Sequence, residues 1–307
     1  MSQIIVMIEY SHIKQSAIDV GFDLVGVTKP REFEFNRLMI EQWVASGAAD
    51  SLSYMKQYMD IRFNPANLLE GTQSVVVCAI NYKNSYSIKQ CKEGGNLPKI
   101  ASYALNRDYH KSIRKLLKEL LRRLQRNNPH LEGRCCVDTA PLLEKQLACE
   151  AGLGWIGRQS LLVTPQFGSY VLLGLLLLTD KVDYYNSPYR GDGCGTCHRC
   201  VESCPAGAIL DNRMIDSRLC ISALTVECDS TDGKELNGWL FGCDECQSCC
   251  PHNQRSPMAT NAAFAPIISP IPSNEWQRMT PEEFTQKVGS TPLKRGGLER
   301  IKRNCIK

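Results

Sequence analysis

The alternation of apolar and polar positions predicts strands and helices in turn along the first half of the chain. Apolar residues recur at steps of three and four from Ile113 to Leu124, which predicts one amphipathic helix. The runs Ser74–Ile80 and Ser169–Leu178 are apolar almost throughout, which is typical of strands covered on both faces. Shorter segments predict strands at Leu24–Val27 and Cys135–Val137, and helices at Ser11–Val20, Leu142–Ala151 and from Thr280 onward.

Composition places the chain among ordinary globular proteins. It has 307 residues, 43% of them hydrophobic and 22% charged, with a net charge of +4. The longest apolar run, Val171–Leu178, has about half the length that a membrane span needs, and Met1–Tyr10 lacks the pattern of a signal peptide. These features predict a cytoplasmic protein with no membrane partner.

The cysteines are unusual in number and in spacing. There are 16, and ten of them lie between Cys194 and Cys250. Disulfide frameworks are typical of short secreted chains, whereas closely spaced thiolates in a reducing compartment are typical of metal sites. The same region has few apolar side chains, so bound metal would have to supply part of its folding free energy.

The first four of these cysteines form a motif of bacterial ferredoxins. Cys194, Cys197, Cys200 and Cys204 precede Pro205 in the order C-x2-C-x2-C-x3-C-P. In that motif three cysteines hold one 4Fe–4S cluster and the fourth ligates a second cluster. A zinc site needs four ligands in tetrahedral geometry, usually as two separated pairs, and does not account for the third close spacing or the Cys-Pro step. The spacing therefore favours iron–sulfur clusters.

The second cluster lacks one ligand in the corresponding motif. Counting back from Cys250 and its following proline gives Cys246 and Cys243, but the next position is Leu240, which cannot ligate a metal. The second cluster must therefore take a thiolate from elsewhere in the segment.

Three cysteines can complete this set: Cys220, Cys228 and Cys249. Cys249 adjoins Cys250, and neighbouring residues seldom point at the same cluster, so we favour Cys220 and interpret the other two as structural thiols. The predicted ligands of the first cluster are Cys194, Cys197, Cys200 and Cys250. The predicted ligands of the second cluster are Cys204, Cys220, Cys243 and Cys246.

Most of the chain lies outside this segment, which suggests that the electrons are used elsewhere in the molecule. The sequence has no phosphate-binding loop, and the pattern Gly152–Gly157 follows a predicted helix rather than a strand, which argues against a dinucleotide site. The residues and their spacing leave open an iron–sulfur oxidoreductase of unknown substrate and an electron carrier with a non-catalytic partner domain.

Short motifs distributed over nearly the whole chain are specific in combination. They are Arg62–Pro65, Asp108–Lys111, Val137–Pro141, Gly154–Gly157, Cys194–Pro205, Cys220–Glu227, Gly242–Gln247, Thr291–Arg295 and Lys302–Asn304. In this order they resemble the epoxyqueuosine reductase family. Three positions differ from the residue usual in that family: Gln159 stands for Asn, Ala223 for Tyr and His252 for Trp.

This resemblance implies a cobalamin-dependent oxidoreductase that reduces epoxyqueuosine to queuosine at the wobble position of tRNA. It implies an α+β fold, in which an N-terminal α/β cobalamin-binding domain of nitroreductase-like architecture is followed by a bacterial ferredoxin-like two-cluster domain. We place these domains at residues 1–185 and 186–257, and we expect residues 258–307 to form a basic segment that packs back on the chain.

Asp138 is the candidate general acid that the resemblance implies. Opening an epoxide needs a proton as the C–O bond breaks, and an aspartic acid can supply it if burial beside the corrin and the epoxide raises its pKa. The alternative is a structural role as the N-cap of the helix predicted after Pro141.

Further site residues are predicted more broadly. Contacts with cobalamin are predicted for Arg62, Tyr103, Asp138, Ser160, Ser222 and Thr225. Contacts with a tRNA anticodon stem-loop are predicted for Lys111, Arg114, Lys294 and Arg295, with a solvated basic face as the alternative for the helix. We also predict a monomer that accepts electrons from an external low-potential donor. The alternatives to a tRNA reductase are a reductive dehalogenase-like enzyme acting on a small molecule and an electron-transfer protein.

Overall fold

A computed structural model describes residues 7–87, 97–269 and 271–305 of the chain. The strands are β1 Leu24–Thr28, β2 Ser74–Asn81, β3 Lys99–Ile100, β4 Gly133–Cys136, β5 Trp155–Ile156, β6 Leu162–Val163, β7 Val171–Leu178 and β8 Trp239–Phe241. The helices before the cysteine segment are α1 Tyr10–Val20, α2 Glu34–Ala45, α3 Met59–Phe63, α4 Tyr109–Asn127 and α5 Glu144–Glu150. Helices in and after the cysteine segment are α6 Arg199–Glu202, α7 Ile221–Val226, α8 Glu245–Ser248, α9 Pro251–Arg255, α10 Ser273–Arg278, α11 Pro281–Val288, α12 Leu293–Gly296 and α13 Leu298–Asn304. Each predicted strand and helix is present, with ends that differ by a few residues.

The centre of the fold is a four-stranded antiparallel sheet in the order β1-β2-β7-β4. All eight residues of β2 are buried. Its side chains alternate between two cores, so that Val76 and Ile80 enter one and Val75 and Val77 enter the other. Because helices cover both faces of the sheet, its central strands are apolar without alternation, as the sequence predicts.

Helix α4 packs on one face of the sheet through its apolar stripe. Ile113, Leu117, Leu120 and Leu124 are buried in the core shared with α1. Gly174 in β7 permits this close approach, because a Cβ at that position would lie 2.5 Å from Ile113 Cγ2. The packing leaves the basic side of α4 towards solvent and fixes the position of its first turn.

The C-terminal helices form a further core with residues 100–105 and 240–241. Helix α11 begins with the predicted capping box, in which Thr280 Oγ1 accepts from the Glu283 N–H and the Glu283 side chain accepts from the Thr280 N–H. Leu293 and Ile301 are wholly buried against this core. The last part of the chain therefore contacts both the sheet domain and the cysteine segment. The predicted limits of the domains stay predictions.

Two features bear on the membrane. Across the three described ranges, no helix is both long enough and apolar enough to span a bilayer. The first six residues of Met1–Tyr10, considered above for a signal peptide, lie outside the described residues.

Candidate active site and cluster sites

Asp138 lies just after β4, where the chain leaves the edge of the sheet. Its φ is 53°, in the left-handed region that aspartate tolerates better than most residues. The Asp138 N–H donates a hydrogen bond of 2.8 Å to Glu144 Oε1. Helix α5 begins at Glu144 and has Leu143 at its N-cap. Asp138 therefore does not cap this helix, and the structural alternative for it is wrong.

The Asp138 carboxylate is one end of a three-residue hydrogen-bond chain. Asp138 Oδ2 lies 2.9 Å from His110 Nε2, and His110 Nδ1 lies 2.8 Å from Asp108 Oδ1. Asp108 is also the N-cap of α4 and accepts from the His110 N–H. Since both outer groups are carboxylates, the protonated imidazole donates from both ring nitrogens. The start of α4 thus aims His110 at Asp138.

The hydrogen bonds among Asp108, His110 and Asp138 determine where the site holds a proton. Burial would lower the pKa of His110, but hydrogen bonds with Asp138 and Asp108 and their charges raise it above its usual value. Burial would raise the pKa of Asp138, but the hydrogen bond and charge of His110, with the charge of Arg295, lower it below its usual range. In the chain alone, the pKa of Asp138 is thus lowered, and its expected rise beside the corrin and the epoxide stays a prediction. These opposite shifts favour a proton on His110 next to an ionised Asp138.

A second carboxyl group lies behind Asp138. Burial, together with the charge of Asp138, raises the pKa of Glu144 to about 8. At neutral pH the protonated Glu144 accepts the Asp138 N–H without repelling its carboxylate. The sequence offers His110 only as a possible contact of the cofactor, and it does not point to Glu144, because the relation of both residues to Asp138 depends on how α4 and α5 pack against β4.

Arg295 and Glu227 lie near Asp138, whose side chain is 45% exposed, and we call the surface that these three residues share the cleft. Arg295 Nη2 lies 2.9 and 2.8 Å from the two carboxylate oxygens of Glu227. The charges of both residues act on Tyr103 and Tyr54, as does that of Asp138. Arg295, a predicted tRNA contact, is thus already ion-paired within the chain. The sequence analysis missed Glu227 and Tyr54.

Arg62 fits the predicted contact with cobalamin. It is 6% exposed, and its Nη2 donates to Tyr54 O at 3.1 Å and to Gln57 O at 3.3 Å. Its Nε has no hydrogen-bond partner among the residues that the structure describes. A buried donor requires an acceptor, and the amide groups around a corrin rim are acceptors. The charges of Arg62 and Asp138 both act on Tyr54, and that of Asp138 also acts on Tyr103, so these three predicted residues lie in one region of the structure.

The three hydroxyl candidates differ in their surroundings. Thr225 is wholly buried, and its Oγ1 donates to Ile221 O at 2.7 Å and accepts from the Gly242 N–H at 3.0 Å. The prediction of a corrin contact for Thr225 is therefore wrong, because backbone groups already use its hydroxyl. Ser160 and Ser222 are partly exposed and stay predictions.

The first predicted cluster set borders one cavity, which Cys194, Cys197, Cys200 and Cys250 line together. Trp155 Nε1 donates to Cys194 Sγ at 3.4 Å. Cys250 is the N-cap of α9, and the N–H groups of the two residues after the proline point at its sulfur. The proline at the first helical position accounts for the Cys-Pro step, since it needs no hydrogen-bond partner there.

The second predicted set gathers around Cys246. Burial raises the pKa of the Cys246 thiol, and the nearby thiols that add to this effect are Cys243, Cys220, Cys249 and Cys204. Cys220 is the N-cap of α7, and the N–H groups of Ser222 and Ala223 point at its sulfur. Helix N-termini favour a thiolate and the negative charge of a cluster.

The remaining two cysteines of the segment lie in different places. Cys249 Sγ donates to Cys246 O at 3.5 Å, and its charge also contributes to the raised pKa of Cys200, so it lies between the two sets. Cys228 packs in an apolar cluster with Ile221 and Trp239.

Basic side chains of α4 and of the C-terminal helices divide into exposed groups and groups bound within the chain. Lys111, Arg114 and Lys294 are exposed. By contrast, Arg300 donates to Val226 O, and Arg303 donates to Cys228 O at 2.9 Å and to Leu224 O at 3.3 Å. These carbonyls belong to the C-terminal end of α7 and the residues after it, so Arg300 and Arg303 stabilise that end rather than face a ligand.

Known proteins share both halves of this arrangement. A family model described as Epoxyqueuosine reductase QueG, DUF1730, matches residues 62–139, and one described as a 4Fe-4S double cluster binding domain matches residues 193–253. The curated epoxyqueuosine reductase of Cyclobacterium marinum is 38% identical to this chain, and the match covers 95% of this chain and 94% of the relative. The enzyme of Leadbetterella byssophila is 34% identical to this chain, and the match covers 97% of this chain and 98% of the relative. The enzyme of Escherichia coli is 33% identical, and the match covers 95% of this chain and 78% of the relative.

A solved structure agrees with the fold. A crystal structure of an epoxyqueuosine reductase with an epoxyqueuosine-modified tRNA-Tyr stem loop has a TM-score of 0.86 and 25% identity. The match covers 96% of this chain and 79% of that one.

A cleft with a proton-holding chain, joined to a double 4Fe–4S domain, defines an iron–sulfur oxidoreductase. The predicted order, an α/β domain followed by a two-cluster domain, is confirmed. The chain belongs to the epoxyqueuosine reductase family. Its cofactors are two 4Fe–4S clusters and cobalamin, as the resemblance implies.

Proposed function

We propose that this enzyme reduces epoxyqueuosine to queuosine in tRNA, with Asp138 as the group that passes protons to the epoxide oxygen. The observation that carries the proposal is the hydrogen-bonded series Asp108–His110–Asp138, whose Asp138 end lies near Glu227 of the cysteine segment. Removing the epoxide oxygen as water consumes two electrons and two protons, so the site needs a proton store as well as an electron supply. The family membership and the double-cluster domain support the choice of substrate class.

The cofactors and the residues divide this work. Cobalamin, when bound, supplies a cobalt centre that can hold a strongly reduced state. Arg62 and Tyr103 would contact it from the walls of the cleft, and the two partly exposed serines, Ser160 and Ser222, would reach its rim. Asp138 accepts a proton from His110 and delivers it as the C–O bond breaks, because an alkoxide is a poor leaving group. Asp108 keeps the imidazole oriented during the transfer.

The two thiol sets have different positions relative to the cleft. Gly242, next to Cys243, packs so tightly on the 101–103 segment that a Cβ there would lie 2.5 Å from Ala101 Cβ and 3.4 Å from the Tyr103 ring. Gly193 and Gly195, which flank Cys194, are exposed. We infer that electrons enter from an external low-potential donor at the first cluster and leave for the cleft from the second.

The partner is proposed to be a tRNA anticodon stem-loop. A related enzyme has been crystallised with an epoxyqueuosine-modified tRNA-Tyr stem loop. Lys111 and Arg114, in the first two turns of α4 next to His110, and Lys294, next to Arg295, carry exposed positive charge near the cleft. We further propose that the enzyme works as a monomer in the cytoplasm, which size-exclusion chromatography with light scattering and cell fractionation would test.

Removing Lys111 and Arg114 together, as a K111A/R114A variant, should weaken tRNA binding and reduce its dependence on salt. Each phosphate contact contributes about 0.7–0.9 to the slope of log K against log salt, so the slope should fall by up to about 2. Fluorescence anisotropy with a labelled stem-loop at several salt concentrations measures this slope. Lys14→Ala, which removes an exposed charge from α1, is the control, and an unchanged slope in the double variant would contradict the assignment.

Replacing His110 with glutamine should shift the pH profile of kcat/KM to lower pH. The pKa of His110 is raised in the folded protein, so its proton is present below that pKa and is lost as the pH rises through it. Without the imidazolium, the pKa of Asp138 rises, and Asp138 must itself carry the proton at lower pH.

We expect H110Q to lose about 10²-fold in kcat/KM near neutral pH and less near pH 5. His12→Gln, at a partly exposed histidine of α1, should keep the original profile. If the alkaline limb of the kcat/KM profile of H110Q lies at the same pH as that of the wild type, His110 does not hold the transferred proton.

The function is tested by anaerobic reconstitution. The protein, loaded with iron, sulfide and cobalamin, is reduced with a low-potential chemical reductant and mixed with an anticodon stem-loop carrying epoxyqueuosine. Digestion and mass spectrometry should show queuosine in its place. Unchanged epoxyqueuosine, with clusters and cobalamin fully loaded, would reject the proposed function.

A further inference from the structure

Gln159 lies in the cavity of the first thiol set without an assigned role. It lines that cavity together with Cys194, Cys197, Cys200 and Cys250. Its side chain is buried, with 4% of the residue exposed. Its Nε2 has no hydrogen-bond partner within the described ranges. Its Oε1 rests against the neighbouring turn, where a Cβ on Gly157 would lie 2.4 Å from it.

A buried amide donor destabilises the fold unless it meets an acceptor. Most of the other groups around Gln159 in this cavity are thiols, and a 4Fe–4S cluster held by them presents sulfide and thiolate sulfurs as acceptors. We propose that Gln159 Nε2 donates a hydrogen bond to a sulfur of the first cluster and thereby raises the reduction potential of that cluster.

The neighbours of Gln159 on the same turn act in the same direction. Trp155 Nε1 donates to Cys194 Sγ at 3.4 Å. The Arg158 guanidinium donates to Gly195 O at 2.8 Å and to Cys197 O at 3.0 Å, which places a positive charge on the loop that holds two of the thiols. The turn after β5 thus surrounds the first set with donors and positive charge.

Hydrogen bonds to cluster sulfurs favour the reduced cluster, because reduction adds one negative charge to it. The potential of the first cluster is thereby set apart from that of the second, although both have four cysteine ligands. This inference rests on the proposed ligand sets but not on the identity of the substrate.

The test is a potentiometric titration followed by electron paramagnetic resonance in the intact, loaded protein. In Gln159→Met, which keeps the length of the side chain and removes the donor, the ratio of reduced to oxidised first cluster at a fixed potential should fall about tenfold. That change equals a shift of 59 mV for one electron. The second cluster should keep its potential, and the first signal is identified as the one lost in Cys194→Ala.

Controls separate this effect from loss of structure. Gln254→Leu, at an exposed glutamine in α9 near the same thiols, should leave both potentials unchanged. Should Gln159→Met fail to load, Gln159→Leu provides a second variant without the donor. A first cluster that keeps its potential in a fully loaded Gln159 variant would overturn the inference. A wild-type protein with only one cluster would instead reject the ligand sets. Failure to turn over the tRNA would reject the proposed function and leave the measured reduction potentials unaffected.

Discussion

Replacing Asp138 with asparagine should lower kcat by about 10²–10⁴-fold, the range typical of a lost general acid. Asparagine keeps the size of the side chain and can still hydrogen-bond His110, but it cannot pass a proton to the epoxide oxygen. The pKa of His110 should fall at the same time, because one of its two carboxylate partners is gone. Single-turnover conversion of the epoxyqueuosine stem-loop by the reduced enzyme measures the effect directly.

The D138N result is interpretable only if the cofactors are intact. Iron content, the cobalamin absorption spectrum and the stem-loop dissociation constant should all match the wild type. Asp192→Asn is a suitable control, because Asp192 is another ion-paired aspartate, bound to Arg213 at 2.6 Å on the surface near the first thiol set. Retention of more than a tenth of the wild-type rate in D138N would remove Asp138 from the mechanism.

Replacing Cys220 with serine should abolish the second cluster and, with it, turnover. The loaded wild-type chain should hold about eight iron atoms, and C220S should hold about four. The rate should fall to background, since the cluster nearer the cleft would no longer pass electrons. Iron and sulfide analysis with electron paramagnetic resonance gives the cluster count, and the stem-loop assay gives the rate.

The other two candidates for the missing ligand are matched controls. Cys228→Ser and Cys249→Ser should retain both clusters, because Cys228 packs among apolar side chains and Cys249 lies beside Cys250. If C249S loses a cluster and C220S keeps two, the ligand set of the second cluster must be reassigned to Cys249. Its position between the two sets makes this comparison the informative one.

The sequence predicts the elements of the fold better than their arrangement. Apolar periodicity locates β2, β7 and α4, because burial on one or both faces determines the residue pattern directly. The antiparallel order β1-β2-β7-β4 is not accessible in this way. A strand that is buried on both faces has the same apolar run whether it pairs in parallel or antiparallel with its neighbours. The strand order and direction therefore come only from the structure.

The candidate site shows the same division. Cysteine spacing is a local property of the sequence, so the assignment of cysteines to two thiol sets could be predicted from it. The pKa of Asp138 could not be, because it depends on His110, which lies 28 residues away and is placed by the packing of α4. Thr225 was misassigned for a related reason, since its hydroxyl is used by Gly242, a backbone group from a different loop.

The clasp of Arg300 and Arg303 on the end of α7 has a consequence for biosynthesis. A ribosome makes the chain from its amino end, so every cysteine of both sets emerges before the arginines that hold the helix following Cys220. Arg295, which borders the cleft, also emerges after them. Until this segment is translated, the carbonyls at the end of α7 lack these arginine donors, so the helix after Cys220 gains this support only at the end of synthesis.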